Sequence, residues 1–263
     1  MTISFVDIHC HLLPGIDDGP NEWGESLAMA RLAVEDGTTT VIATPHQLGN
    51  FAENHGDEIR RLTGELQDRL HADSIPLSVL PGADVRIEPG MCERLASGEV
   101  LTLGDHRRHV LLELPHDLYL PLEPLLDQLG RRNIVGILSH PERNEGILRQ
   151  PDVVAPLVEA GCLLQITAGS ITGSFGPQCQ QLAERLLDDG LVHLVASDGH
   201  GPRARRPLLR RAYECVAERI DAQTAADLCS HNPSLVAAGR PVQPGRREVA
   251  PRRRGWWRKK AVA

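Results

Sequence analysis

The sequence of 263 residues is poor in aromatic side chains and contains no long apolar run. Phe, Trp and Tyr together make up 3% of the residues, and every uninterrupted apolar stretch is short. A membrane-spanning helix needs roughly 20 apolar residues, and a secretory signal needs an apolar core of about 7–15. The six cysteines are scattered without a C-x-x-C pair, which is typical of reduced thiols. We therefore expect a soluble, cytoplasmic protein.

Lysine is almost absent, and both lysines lie near the C-terminus. Residues 245–263 hold eight basic residues, one acidic residue and two adjacent tryptophans, Trp256 and Trp257. Residues 1–244 hold the other 20 basic and 34 acidic residues, a net charge of −14. An acidic body disfavours nucleic acid as a partner and is compatible with bound cations. We predict one domain over 1–244 and a disordered basic tail over 245–263.

Short runs rich in Val, Ile and Leu recur along the body and alternate with helical patterns. Seven such runs predict strands, at positions 4–8, 39–43, 77–80, 110–114, 134–139, 162–167 and 191–196. Helical periodicity follows most of them, as in the series Ile59, Leu62, Leu66 and Leu70. Because buried parallel strands alternate with covering helices in this way, the pattern favours an α/β fold with a closed or nearly closed parallel barrel.

Side chains that bind metals occur at or just after six of the seven predicted strands. Two pairs, His9 with His11 and Asp198 with His200, have the i, i+2 spacing that projects both side chains to the same side of an extended chain. The others are Asp18, His46, Asp84, Glu113 and His140. The carboxyl ends of barrel strands converge on one face. We therefore predict two or three divalent ions, and histidines mixed with carboxylates suit Mn, Fe or Zn better than Ca or Mg.

The motifs at these positions resemble one enzyme superfamily. D-I-H-C-H and D-D-G-P within 7–20, A-T-P-H at 43–46, G-A-D-V-R at 82–86, S-H-P-E-R at 139–143 and S-D-G-H at 197–200 are similar to the polymerase-and-histidinol-phosphatase (PHP) superfamily. Within it they resemble the bacterial manganese-dependent protein-tyrosine phosphatases of capsule and exopolysaccharide operons, the CpsB/YwqE type. The resemblance covers residues 3–240 and implies a distorted (β/α)7 parallel barrel of the PHP type.

The resemblance also implies how the ligands divide among three ions. One ion would bind His9, His11, Asp84 and Asp198, a second would bind Asp84, Glu113 and His140, and a third would bind Asp18, His46 and His200. The sequence departs from the family at Asp84, where glutamate is usual, and at Gln47, where an arginine is often found. The shorter carboxylate at position 84 bears on the spacing of the ions, and Gln47 bears on phosphate binding.

The catalytic residues implied by the resemblance are arginines and one histidine. Arg143 matches the phosphate-binding arginine of the family, and Arg205 or Arg206 would supply a second forked contact. His200 or a water would assist the departure of the phenolate. A cysteine-based mechanism is disfavoured, because the C-x5-R spacing of Cys179 and Arg185 falls in a segment that lacks glycine and is expected to be helical.

Together these features predict metal-dependent hydrolysis of phosphotyrosine on a protein. The substrate implied by the resemblance is a phosphorylated, membrane-associated tyrosine autokinase with a tyrosine-rich tail, which controls capsular or exopolysaccharide synthesis. The basic tail would recruit the protein to the inner membrane face through anionic lipid, or bind the phosphorylated tail of the kinase. Two alternatives remain: a small-metabolite phosphatase, such as histidinol-phosphate phosphatase, and a non-catalytic, metal-bound regulatory module.

Overall fold

A computed structural model describes residues 3–248 and contains nine parallel strands surrounded by helices. The strands are β1 Phe5–Cys10, β2 Thr38–Ala43, β3 His46–Gln47, β4 Ser78–Pro81, β5 Asp84–Arg86, β6 His109–Glu113, β7 Val135–Ser139, β8 Leu163–Thr167 and β9 Leu194–Ala196. Each of the seven predicted runs overlaps one of these strands. The predicted α/β class with parallel pairing is confirmed, and the short strands β3 and β5 were not predicted.

The strands form two sheets, in the order β1-β2-β4 and β3-β5-β6-β7-β8-β9. Two residues separate β2 from β3 and β4 from β5, so each pair is one strand path that passes from the first sheet to the second. At the other side, Asp198 N donates to His9 O and His11 N donates to Gly199 O, both at 2.8 Å. The two sheets therefore meet where β1 and β9 end.

Eleven α-helices are described, most of them between successive strands. They are α1 Trp23–Asp36, α2 Gly56–Ala72, α3 Met91–Ser97, α4 Glu123–Gly130, α5 Glu145–Arg149, α6 Val154–Glu159, α7 Ala168–Ile171, α8 Pro177–Asp188, α9 Arg210–Arg219, α10 Ala222–Ala226 and α11 Asn232–Ala237. The predicted apolar series of α2 is buried. Cys179 and Arg185 lie in α8, as expected, so the backbone between them cannot wrap a phosphate.

An apolar layer between the strands supports the site. Leu111 of β6 and Leu163 of β8 belong to this layer and are fully buried. Alternate residues of a strand project to the same side, so the residues two positions further on, Glu113 and Gln165, lie above the layer. The same strands thus supply both the apolar side chains below the site and the polar side chains above them.

The C-terminal part of the described chain contacts the body of the protein. Gly245 O accepts a hydrogen bond from His193 Nε2 at 3.0 Å, and Arg247 N donates to Gly190 O at 2.8 Å. The rest of the predicted basic tail, including Trp256 and Trp257, lies outside the described residues. Within 3–248, no helix is both long and apolar enough to cross a membrane.

Candidate metal centre

The nine predicted metal ligands lie together in one cleft at the carboxyl ends of the strands. Ligand atoms approach within 4.8 Å of one another in four groups: His11, Asp18, His46 and His200; His9, His11 and Asp84; His9, His140 and Asp198; and His46, Asp84 and Glu113. The groups share members, so they form one continuous cluster. Residues separated by nearly the whole length of the body are thus neighbours in the fold.

Buried hydrogen bonds orient the two histidines of β1 and the residues after it. His9 Nδ1 lies 2.8 Å from Gln165 Oε1, and His11 Nδ1 lies 2.6 Å from Asp17 Oδ2. An acceptor at Nδ1 places the proton there and leaves the lone pair of Nε2 free. The two free Nε2 atoms are 3.3 Å apart and both face Asp198. In metal sites, imidazole ligands are commonly oriented in this way, by a hydrogen bond at the nitrogen that does not bind the metal.

His200 is oriented in the same way by a backbone group. Its Nδ1 lies 2.9 Å from Asp198 O, and its Nε2 lies 3.3 Å from Asp18 Oδ1. The contact with His200 is the main reason that the pKa of Asp18 lies below its ordinary value. His46 completes this group, with Nε2 at 3.5 Å from Asp18 Oδ1 and its ring stacked on Phe51.

Asp84 is the clearest indication that the cleft holds cations. Its side chain is fully buried, and neither carboxylate oxygen has a hydrogen-bond partner within the described part of the chain. Burial acts to raise the pKa of Asp84, but His9, His46 and His140 together lower it below its ordinary value. An ionised, buried carboxylate with both oxygens free is costly unless positive charge lies beside it. The residues present therefore fit a carboxylate shared between metal ions.

The other titratable ligands are adjusted by burial. Burial lowers the pKa of His11 and of His140 to about 4, so both imidazoles are neutral at pH 7 and have a lone pair to offer. Burial and the charge of Asp84 raise the pKa of Glu113 to about 8. Bound cations would offset this repulsion between two neighbouring carboxylates.

Asp198 joins the metal ligands to the predicted phosphate-binding arginines. Its Oδ1 lies 3.3 Å from His9 Nε2, whereas its Oδ2 accepts hydrogen bonds from Arg143 Nη1 and, at 2.5 Å, from Arg205 Nη2. Arg206 is exposed and lines a neighbouring depression beside Arg205. Of the two arginines left open by the sequence, Arg205 is therefore the one that contacts the cluster.

Three residues at this junction have left-handed backbone conformations. His140, Asp198 and Arg205 have φ values of +32°, +52° and +47°, in the left-handed region that residues other than glycine seldom adopt. Strained backbone persists where surrounding contacts determine it, and it is frequent at functional sites. The strain coincides with the residues at which metal ligands and arginines meet.

Sequence reasoning missed several groups that shape the cleft. Gln165 lies in the sixth predicted strand and Phe175 follows that strand, where no ligand was identified. Arg86 Nε lies 3.4 Å from Glu113 Oε2. The spacing of Arg86 from Asp84, two residues along β5, was the available signal. Gln47 has a structural role: its side chain is buried and binds backbone groups of Asn54, Glu99 and Leu101.

The fold and the cleft define an α/β protein with a histidine- and carboxylate-rich site suited to several metal ions. A family model described as "Capsular polysaccharide synthesis, CpsB/CapC" matches residues 5–237, and the chain belongs to this family. The resemblance identified from the motifs is therefore confirmed.

Named relatives and a solved structure agree with this membership. The chain is 40% identical over 202 residues to tyrosine-protein phosphatase YwqE of Bacillus subtilis (strain 168), which covers 76% of this chain and 79% of the relative. It is 27% identical over 236 residues to tyrosine-protein phosphatase CpsB of Streptococcus pneumoniae, or 88% of this chain and 97% of the relative. A chain from the crystal structures of YwqE from Bacillus subtilis and CpsB from Streptococcus pneumoniae, described as unique metal-dependent tyrosine phosphatases, matches with a TM-score of 0.86 at 34% identity. That match covers 94% of this chain and all of that one.

Proposed function

We propose that this protein is a metal-dependent protein-tyrosine phosphatase. The observation that carries the proposal is the position of Asp198, whose two oxygens face different partners. One oxygen lies among the histidines of the cluster, and the other binds Arg143 and Arg205. Phosphoryl transfer requires a nucleophile in line and positive charge around the phosphate oxygens. Asp198 therefore lies within a few ångströms of the histidines that would hold the metal ions and of the arginines that would bind the phosphate.

The proposed cofactors are two or three divalent ions, with Mn preferred and Fe or Zn as alternatives. His9, His11, Asp84 and Asp198 would hold one ion; Asp84, Glu113 and His140 a second; and Asp18, His46 and His200 a third. When bound, the ions supply an activated water and positive charge around the phosphate. The free Asp84 oxygens and the neutral imidazoles support this distribution.

The residues of the chain bind the phosphate and hold the cluster in place. Arg143 and Arg205 each direct a guanidinium nitrogen at Asp198 Oδ2, and their remaining donors are available to equatorial phosphate oxygens. A phenolate has a pKa near 10 and departs with less help from an acid than an alkoxide does. His200 has one free ring nitrogen, which can bind a metal or donate a proton but not both, and we assign it to the metal.

The wider proposal concerns the substrate, the barrel and the location. We propose a phosphorylated tyrosine autokinase of capsule or exopolysaccharide synthesis as substrate, supported by the family description and the names of the relatives. The two sheets would close as a distorted (β/α)7 barrel, supported by the hydrogen bonds between the ends of β1 and β9. A cytoplasmic protein with residues 1–244 as its domain fits the same proposal.

The basic tail would recruit the protein to anionic membrane lipid or to the phosphorylated kinase. Truncation after residue 248 is the appropriate test of this role, because it retains the contacts of Gly245 and Arg247 with the body. Loss of liposome binding by this variant, with unchanged peptide hydrolysis, supports the role; unchanged liposome binding contradicts recruitment through lipid.

The function is tested by phosphate release from a phosphotyrosine peptide and from histidinol phosphate, measured side by side with the Mn-loaded protein. We expect preference for the peptide and loss of activity in the His140→Ala variant. Arg143→Ala should lower kcat/KM by about 10²–10³-fold, as expected for loss of a charged contact in the transition state. Arg61→Ala is the matched control, since Arg61 is exposed on α2 and pairs with Glu58.

Each alternative function predicts a different result in this assay. Preference for histidinol phosphate would identify a small-metabolite phosphatase with the same metal chemistry. No hydrolysis of either compound by fully loaded protein, or an Arg143→Ala variant with unchanged kinetics, would favour a non-catalytic, metal-bound regulatory module.

A further inference from the structure

Phe175 lies at the rim of the cleft, in the turn that follows α7. Its ring packs on Gly169, where an added Cβ would lie only 2.7 Å from ring atom Cε2. Backbone hydrogen bonds close the turn, from Ser174 N to Gly169 O at 2.8 Å and from Gly176 N to Gly173 O at 3.1 Å. The ring is therefore positioned by its packing on Gly169 and by the hydrogen-bonded turn that carries it.

The ring faces the two arginines that bind Asp198. The guanidinium carbon of Arg143 lies 4.3 Å from the centre of the Phe175 ring, and that of Arg205 lies 6.0 Å away. Both distances are within the range of cation–π contacts. A phosphate bound by these guanidinium groups would therefore have an aromatic ring beside it.

Phe175 also lines two depressions of different size. The first is a groove of about 800 Å³, lined by Arg143, Leu148, Leu182 and Phe175 among others. The second is a depression of about 400 Å³, lined by Arg205, Arg206 and mainly small side chains. The first groove has about twice the volume of the second and places Leu148 and Leu182 near Phe175, so a phenyl ring is better accommodated there.

The larger groove leads to the metal cluster past Arg143. Arg143 and His116 line both this groove and a small cavity beside Glu113 and His140. In phosphotyrosine a single ester oxygen joins phosphorus to the phenyl ring. A phosphate held by Arg143 therefore places that ring in reach of Phe175, whereas phosphoserine has only a methylene group and backbone at the same place.

The second aromatic residue near the cluster is less suited to this task. Phe51 stacks on the predicted ligand His46, with ring centres 5.2 Å apart and planes 17° apart. The cavity beside it measures about 30 Å³, whereas a cavity that binds benzene is on the order of 150 Å³. Phe51 thus supports a ligand but leaves no space for a substrate ring.

We propose that Phe175 is a specificity-determining residue that contacts the phenyl ring of the substrate in the larger groove and favours aryl over alkyl phosphates. The inference rests on the proposed function, because it assigns the leaving group of that same reaction. Phe175 lies outside the motifs that supply the predicted metal ligands and arginines, and the inference assigns to it a direct contact with the substrate.

The test uses two peptides of identical sequence that carry either phosphotyrosine or phosphoserine. Phe175→Leu keeps apolar volume but removes the ring, and we expect the ratio of the two kcat/KM values to fall by about three- to tenfold relative to the wild type. Phe175→Tyr should retain the ratio. Intrinsic reactivity of the two esters cancels, since each variant is compared with the wild type on the same pair.

A binding measurement separates recognition from catalysis. Calorimetric titration of the Mn-loaded protein with phenylphosphonate and with methylphosphonate should show that Phe175→Leu weakens the first by about three- to tenfold and the second by less than about twofold. Phe51→Leu serves as the comparison: it should lower hydrolysis of both peptides alike and leave both ratios unchanged.

Equal losses on both peptides in Phe175→Leu, with an unchanged phosphonate ratio, would overturn the inference, because the ring would then act only by holding Arg143. Failure of the proposed function is a different result: the wild-type protein would hydrolyse neither peptide. The phosphonate titration would still decide whether Phe175 recognises an aryl group.

Discussion

Histidines are buried at both ends of the strands, but they are bonded differently. At the carboxyl ends, His9 uses Nδ1 to bind Gln165 and leaves Nε2 facing carboxylates. At the amino end of β9, His193 uses both nitrogens: Nδ1 accepts from Leu164 N at 3.1 Å, and Nε2 donates to Gly245 O at 3.0 Å. The group that the second ring nitrogen faces, and not burial, distinguishes a predicted metal ligand from a structural histidine.

The pKa values confirm that burial alone does not separate the two ends. Burial lowers the pKa to about 4 for His140 at the carboxyl ends and equally for His109 and His193 at the amino ends. The difference lies in the carboxylates. Asp84 and Glu113 occur beside the first group, whereas His193 is surrounded by backbone carbonyl and amide groups.

The largest expected effect comes from Asp84→Asn at the carboxyl ends. The substitution keeps the size of the side chain but removes the charge that two ions would share, so we expect the metal content to fall and phosphate release to drop by at least about 10³-fold. Metal analysis by mass spectrometry and the phosphotyrosine peptide assay measure these effects. Asp84→Glu, which keeps the charge, is the control and should retain both. Full metal content in Asp84→Asn would contradict the assignment.

An intermediate effect is expected when the partner of a ligand is removed. Gln165→Leu deletes the acceptor that holds His9 Nδ1, and we expect metal affinity to fall by about 10–100-fold, with activity restored at saturating Mn. Titration of activity with Mn measures this. Gln165→Glu restores an acceptor and should recover the affinity. If Gln165→Leu binds Mn as tightly as the wild type, the hydrogen bond does not orient the ligand.

The smallest effect on activity is expected at the amino end. His193→Leu removes two buried hydrogen bonds and should lower the free energy of unfolding by about 1–3 kcal/mol while leaving kcat/KM unchanged. The same substitution at exposed His71 is the control. Denaturant unfolding in the presence of a chelator measures stability without a contribution from metal. A loss of activity larger than the loss of folded protein would contradict a purely structural role.

The same variant should change the pH dependence of stability. The unfolded chain protonates His193 near pH 6.5, whereas the folded protein does so only near pH 4. The stabilisation by the neutral imidazole is therefore complete above about pH 6.5 and is lost as the pH falls toward 4. In His193→Leu the free energy of unfolding should therefore fall less steeply between pH 6.5 and pH 4. Identical slopes in the two proteins would show that His193 is not buried as a neutral group.

The strand positions and the residues of the cluster could be predicted from the sequence for a common reason. Strand ends that carry His, Asp or Glu are visible as local patterns, and spacing such as that of His9 and His11 predicts a shared direction. The structure brings all nine predicted residues into one cluster. It also shows features that local patterns did not reveal, including the division of two strand paths between the sheets.

Hydrogen-bond partners that are distant in the sequence could not be predicted. Gln165 and His9 are 156 positions apart, so no local spacing relates them. The choice between Arg205 and Arg206 depends on the left-handed turn at Arg205, which directs that side chain to Asp198 and leaves Arg206 exposed. The side-chain hydrogen bonds of Gln47 are with backbone groups of Asn54, Glu99 and Leu101, and no local spacing relates Gln47 to the last two.

The sequence by itself determined the alternation of strands and helices and the kind of chemistry at the strand ends, because hydrophobic periodicity and ligand spacing are properties of neighbouring residues. Only the tertiary structure decided which nitrogen of each histidine is free, which arginine binds Asp198, and that Phe175 lies over both guanidinium groups. These features arise from contacts between residues far apart in the chain, and such contacts exist only once the strands are packed side by side.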